Sequence, residues 1–200
     1  QYLQEISSGN QYMTNLVNLL LNISRIETGT FVVELNQIDL VSVSKKIIKS
    51  QDSIIKDKKI KLTSKFGKNI PKIKADEKLF SLILHIIISN AISYTDEGGK
   101  ISLEIYLDPT EKNIIFKVSD NGCGIPEEQQ DKIFSKLFRA SNVKEKNVSG
   151  VGVSLHLVKA ILDYVEGKIW FDSVVDEGSS FYFSLPITGM KKKERIRKII

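Results

Sequence analysis

The stretch VSDNGCGIP, residues 118–126, places an aspartate at the end of an apolar run and follows it with two glycines and a proline. An ionised Asp120 only accepts hydrogen bonds, which suits it to an exocyclic amine such as that of adenine. Gly122 and Gly124 remove side chains where the backbone must turn sharply or lie against a flat ligand. The same residues also fit a plain strand-to-helix turn in which backbone amides satisfy Asp120.

Two further groups carry possible chemistry. Asn90 shares a helix face with Ile83, Ile86 and Ile87, so an amide interrupts an oily stripe. A buried amide without partners costs about 1–3 kcal/mol, so Asn90 is either a core asparagine bonded to backbone or a neutral oxygen ligand suited to Mg²⁺ beside phosphate. GVGVSL, residues 150–155, stands between a polar loop and an apolar helix. Glycines at a helix N-terminus expose amides that attract phosphate, though a lone G-x-G also fits a flexible loop end.

The chain that must position these residues has 200 residues and 42% hydrophobic content, enough for one good core. Its formal charge of +5 comes from 29 basic and 24 acidic residues, with much of the excess in the tail from Lys191 to Lys198. That run could meet nucleic acid or an anionic membrane, but a short charge run reads rather as a solvated helix or linker. A nucleic-acid module is opposed because the basic residues form no stripe interleaved with exposed aromatics. The single cysteine, Cys123, excludes an internal disulfide and gives no metal spacing, which fits a reducing compartment. No apolar run approaches the ~18 residues needed to span a bilayer. Gln1 begins inside a helical pattern, so the chain is expected to be the interior of something larger.

Ile6, Met13, Leu16, Leu20 and Ile23 recur at helical steps, predicting a helix with one apolar seam over residues 2–27, stopped at Thr28-Gly29. FVVEL, 31–35, reads as a strand, and Asp39 as the cap of a helix over 40–58. IKLTSKF alternates as a strand, and the longest apolar helix runs from Glu77 to Tyr94 behind Asp76. ISLEIYL and NIIFKVSD predict a hairpin, followed by helices over 127–134 and 153–165, with a polar stretch over 140–149 between them. Strands KIWFDSVV and SSFYFSLP then pair through the turn at 176–178. Mixed elements with short turns imply one sheet with helices on one face.

In order, SNAISYT (89–95), DNGCGIP (120–126), KIFSKLFRAS (132–141), GVGVSLHLVKAIL (150–162) and GKIWFDSVVDEGSSFYFSLP (167–186) resemble the N, G1, F, G2 and last G boxes of sensor histidine kinases. LVNLLLNISRIETGTFVVELNQIDL is similar to the second dimerisation helix of those kinases and its link to the ATP-binding domain. The resemblance implies the Bergerat fold of the GHKL ATPases: a two-layer α/β sandwich, its mixed and mostly antiparallel sheet covered by helices on one face, behind a long N-terminal helix. The implied domains are a dimerisation helix over 1–30, an ATP-binding catalytic domain over 31–188 and a basic tail over 189–200.

It also implies a site. Asp120 would bind the adenine amine, with Gly122 and Gly124 as the floor; Asn90 would hold Mg²⁺ and Tyr94 would line the nucleotide. Residues 140–149 would form the lid over the phosphates, anchored by Phe134 and Phe138, with Gly150 and Gly152 as its hinge and Lys136 near the phosphates. Ile125, Leu155 and Ser180 complete the implied nucleotide-contacting set. The implied ligands are ATP or ADP with Mg²⁺. The implied partners are a response-regulator receiver domain and a second copy of the chain through the dimerisation helices, with no nucleic acid. The implied setting is the cytoplasmic part of a membrane-anchored sensor, this fragment itself being soluble.

Several departures bear on competence. Ile86 stands where the family has the first asparagine of the N box, Ser93 where it has a lysine, and Ser154 where it has the third glycine of the G2 box. The acceptor histidine belongs to a first dimerisation helix that the chain does not contain, so no catalytic residue is assigned. His85 and His156 lack an acidic neighbour and read as structural. The alternatives are a degenerate nucleotide-binding module of the same fold and an ATPase of the chaperone or mismatch-repair type, the latter opposed by the short lid and the SRIETG helix.

Overall fold

The computed structural model describes residues 32–145 and 151–191, with isolated positions from 17 to 30. Most of the expected N-terminal helix and the tail from residue 192 lie outside the described residues. At the end of that helix, the Thr28 hydroxyl donates to the Ser24 carbonyl at 2.8 Å. The Thr30 amide reaches back to the Arg25 carbonyl at 2.9 Å.

The elements are β1 (Asn36–Ile38), α1 (Leu40–Ser50), α2 (Asp52–Asp57), β2 (Lys61–Phe66), β3 (Ile73–Ala75), α3 (Glu77–Tyr94), β4 (Lys100–Leu107) and β5 (Asn113–Asp120). After a 3₁₀ turn over Glu127–Lys132 come α4 (Ser141–Glu145), α5 (Ser154–Tyr164), β6 (Lys168–Val174) and β7 (Gly178–Pro186). Five strands form one sheet in the order β2-β4-β5-β7-β6, and β1 pairs with β3 apart from it. Only the β2–β4 pair is parallel; the others in the large sheet are antiparallel.

Four local expectations change. Residues 32–35 form no strand, and pairing starts at Asn36. The single helix expected over 40–58 is two, because Gln51 closes α1 with its amide on the Ile48 and Lys49 carbonyls. The helix expected over 127–134 is a 3₁₀ turn. The polar stretch after Ala140 contains the short helix α4.

Capping sets the long helix. Asp76 Oδ1 accepts from the Lys78 amide at 2.9 Å and the Leu79 amide at 3.1 Å, satisfying two of the donors that a helix start leaves open. Its Oδ2 accepts from the Glu34 amide at 2.9 Å, which ties the entering chain to the same point. From there α3 lies between α1 and α5 and packs on β5. Phe80 of α3, Phe116 of β5 and Phe183 of β7 fill the centre, the last two stacked with ring centroids 4.3 Å apart.

The open face of the sheet carries a complete cross-strand row: Lys65, Glu104, Lys117, Tyr182 and Trp170. Basic and aromatic residues thus meet here, although the sequence shows no such stripe. The rings engage one another: Trp170 stacks on Tyr182 at 5.4 Å, and Lys117 Nζ stands 5.5 Å from the Tyr182 centroid. Such pairs stabilise a sheet by about 0.2–1 kcal/mol each.

Because Phe116 is fully buried between two other rings, Phe116→Ala is expected to lower the unfolding free energy by about 3–5 kcal/mol. Urea denaturation would read this as a lower midpoint at unchanged slope. A loss under about 1 kcal/mol would remove this triad from the centre of the core.

Candidate functional site

Asp120 closes β5, where the alternation of the strand turns its side chain to the helix-covered face with Phe116 and Val118. Its Oδ1 accepts from the Gly122 amide at 2.9 Å. Burial pushes the carboxyl above its ordinary value, while the backbone amides of Gly122 and Ser179 draw it back down. A carboxylate is therefore held in poorly solvated surroundings, where one further donor would favour its charged form.

The corner after it is built without side chains for a steric reason. A Cβ on Gly122 would lie 2.4 Å from the Tyr94 carbonyl oxygen, so the loop touches the end of α3. Gly124 has φ +63, and a Cβ there would lie 2.0 Å from the Val174 carbonyl oxygen, which makes glycine the only residue that fits the turn. The next amide, that of Ile125, donates to Ser173 Oγ at 2.9 Å, and Ile125 itself is buried. Tyr94 receives the Cys123 amide on its carbonyl at 3.3 Å. Burial raises its phenol above the usual value, with the Arg139 charge opposing and Cys123 adding to the rise.

Asn90 stands one turn before Tyr94 on the same face of α3 and is half-buried. Ile86, one turn earlier again, is buried in the core. Ser93 is half-buried. The start of the lid region is tied to the corner. Asn142 Nδ2 donates to the carbonyls of Cys123 at 3.3 Å and Gly124 at 3.0 Å. Gln129 holds Ser141 twice, accepting its amide and donating to its hydroxyl, each at 2.8 Å. Cys123, Ala140 and Val143 form a small core with Tyr94 and Phe138.

On the far side of the lid, Gly152 has φ +74 with the Phe138 carbonyl against it. Ser154 opens α5, and Val153 before it makes no side-chain cap bond, a helix start of the kind whose dipole favours an anion. Leu155 packs against the main core. Phe134 meets Phe171 edge-on at 5.7 Å. Gly150 lies outside the described residues.

Two members of the expected set sit elsewhere. Ser180 pairs with Ser119, hydroxyl to hydroxyl at 2.8 Å, on the open face of the sheet. The serine opposite Asp120 is Ser179, because neighbours along a strand face opposite ways. Lys136 is exposed, whereas Arg139 is the cation whose charge reaches Tyr94. Sequence reading passed over Arg139, Asn142 and Gln129; only their place beside the F-box phenylalanines marked them. The histidines are structural in their contacts. His85 Nδ1 lies 3.1 Å from Gln51 Nε2, and His156 Nδ1 donates to the Phe134 carbonyl at 3.1 Å.

Residues 75–189, more than half the chain, match the family model for histidine kinase-, DNA gyrase B-, and HSP90-like ATPases. The chain belongs to this family. Within this ATPase family it is 35% identical to the adaptive-response sensory kinase SasA of Crocosphaera subtropica over 175 residues, 88% of this chain and 45% of that protein. The chain thus spans under half the length of that curated relative. The catalytic domain of histidine kinase ThkA superposes with TM-score 0.65 at 26% identity, over 77% of this chain and 96% of that one. Full-length ShkA, solved in complex with AMPPNP, superposes with TM-score 0.80 at 20% identity, over 97% of this chain and 39% of that one. The two-layer fold is that of the histidine kinase catalytic domains in this ATPase family. Among the described residues no helix is long and apolar enough to cross a membrane.

The raised carboxyl gives a pH prediction whose sign is definite. A folded-state value above the ordinary 3.8 means that the folded chain binds the proton more readily, so stability from this group is greatest at low pH and declines as pH rises through the raised value. Asp120→Asn removes the charge, and at neutral pH it is expected to raise the melting temperature of the nucleotide-free chain. The difference should shrink as pH falls toward 3.8. Thermal unfolding of both chains across that range checks it, and a gap independent of pH would remove the burial account.

Proposed function

We propose that this chain is the ATP-binding catalytic portion of a sensor histidine kinase in two-component signalling. In the complete protein the γ-phosphoryl of Mg-ATP would pass in line to a histidine on a first dimerisation helix. The observation that carries the reading is the half-buried Asp120 carboxylate beside a corner made by Gly122 and Gly124, where no side chain would fit. An adenine amine donates to that carboxylate, and the flat ring lies along the backbone of Gly122 and Gly124, with Ile125 and Tyr94 as walls. Phosphates extend toward Gly152 and the uncapped start of α5. Arg139 contributes positive charge next to Tyr94.

Asn90 offers one neutral oxygen for magnesium, Ile86 offers none, and no group of three or more His, Cys, Asp or Glu suited to a metal stands among the described residues. That set fits an ion that keeps water and phosphate oxygens as its other ligands. When bound, magnesium neutralises charge on the phosphate oxygens. The protein's own part is positioning: Asp120 fixes the base, α5 the phosphates, and the lid residues tied by Asn142 and Gln129 exclude water.

The partners follow from the same reading. ThkA has been solved in complex with the response regulator TrrA, and a receiver domain is the proposed recipient here. Residues 1–30 would pair with a second copy, residues 31–188 form the catalytic domain, and 189–200 a basic tail. The whole would be the cytoplasmic part of a sensor anchored outside this chain.

A second reading, a nucleotide-binding module that has lost turnover, is favoured by one observation. Ile86 is integrated into the core at 8% exposure rather than standing idle beside a metal. Titrations with ATP and ADP, each with and without Mg²⁺, separate the two. A competent site binds Mg-ATP more tightly than metal-free ADP, and a degenerate one shows no preference. For either reading, Asp120→Ala is expected to weaken ADP binding by about 1.5–3 kcal/mol, or roughly 10- to 150-fold. Calorimetry showing wild-type affinity in that variant would leave the adenine assignment without support.

A further inference from the structure

Lys58 follows α2 and is half-buried. Its Nζ donates to the carbonyls of Ile92 at 2.7 Å, Thr95 at 2.9 Å and Ser93 at 3.3 Å. An ammonium has three protons, and here each meets a carbonyl at the end of α3. Those carbonyls lie where a helix lacks internal acceptor partners and carries partial negative charge. The last turn of α3 has no basic residue of its own. Lys58 supplies that charge from another helix.

The main chain repeats the link. The Lys58 carbonyl accepts from the Gly98 amide at 2.8 Å, and the Lys61 amide donates to Gly99 at 2.9 Å. Residues 58–61 therefore run along the turn that leaves α3. Next to that turn the Lys100 amide donates to Asn121 Oδ1 at 2.6 Å, one residue from Asp120.

Between the held carbonyls of Ser93 and Thr95 lies the Tyr94 peptide. Its oxygen receives the Cys123 amide and stands against Gly122, where a Cβ would come within 2.4 Å. The relation between Tyr94 and the Asp120 corner is thus set by a peptide clamped on both sides. We propose that Lys58 is a positioning residue of the nucleotide site: its ammonium locks the C-terminal turn of α3 so that Tyr94 and the glycine corner keep the spacing that admits the base. This rests on the nucleotide reading above.

The test is ADP affinity, measured by calorimetry on the 200-residue chain at a temperature where circular dichroism shows each variant folded. Lys58→Met keeps the stem and removes the charge, and is expected to weaken ADP at least fivefold. Lys58→Arg, which keeps the charge, is expected to recover most of the loss. Lys59→Met, which removes only an exposed pair with Glu97, is expected to bind like wild type. A Lys58→Met chain that melts earlier yet binds ADP as wild type does would make the lysine purely structural and overturn the inference. Equal losses in Lys58→Met and Lys59→Met would overturn it also. If Lys58→Met does not fold, Lys58→Gln takes its place with the same two outcomes. Wild-type chain that fails to bind ADP would instead remove the nucleotide reading, and this inference with it.

Discussion

A carboxylate on the covered face of a sheet is the constraint around which this molecule is arranged. Asp120 faces the helices at the end of a central strand, half-buried, with two backbone amides to support it. Backbone has to come very close for that support to exist, and the crowding is visible on three sides. The Tyr94 carbonyl presses on Gly122, the Val174 carbonyl on Gly124, and the Asp120 carbonyl on Gly178, where a Cβ would come within 2.0 Å. Glycine at these points is a packing requirement before it is a functional one. The corner gains from this a surface of peptide planes beside a carboxylate that two backbone amides already hold in place.

Much of this architecture was legible beforehand. The long helix behind Asp76, the β4–β5 hairpin and the closing pair β6–β7 follow from periodicity and cap residues, which are local signals. What escaped was non-local. The β1–β3 pair is three residues long on each side and rests on partners nearly forty positions apart. The parallel pairing of β2 with β4 has no turn to announce it. Gln51 breaks one helix into two with no glycine or proline to mark the place.

The site divides the same way. Asp120, Gly122, Gly124 and Tyr94 come together because they lie in contiguous stretches whose types are diagnostic. Which of the two adjacent serines, Ser179 or Ser180, lies opposite Asp120 is told only by strand register, and it is Ser179. Arg139 and Lys136 differ by three positions in an irregular segment, where Leu137 at φ 62 reverses the chain and no period predicts orientation. Lys58 has no sequence signal at all, because its contacts are to main-chain oxygens more than thirty residues away.

Among the described residues the edge strands of the large sheet are β2 and β6. An unpaired strand edge invites another chain to add to it, with aggregation as the result. On β2 the outward residues Lys61 and Lys65 flank Thr63, and on β6 Lys168 and Asp172 flank Trp170. Antiparallel copies meeting along β2 about Thr63 would bring Lys61 against Lys65, so that border of the sheet resists growth into a continuous ribbon even when the protein is crowded. On β6, by contrast, Asp172 would face Lys168, and the like-charge clash is absent.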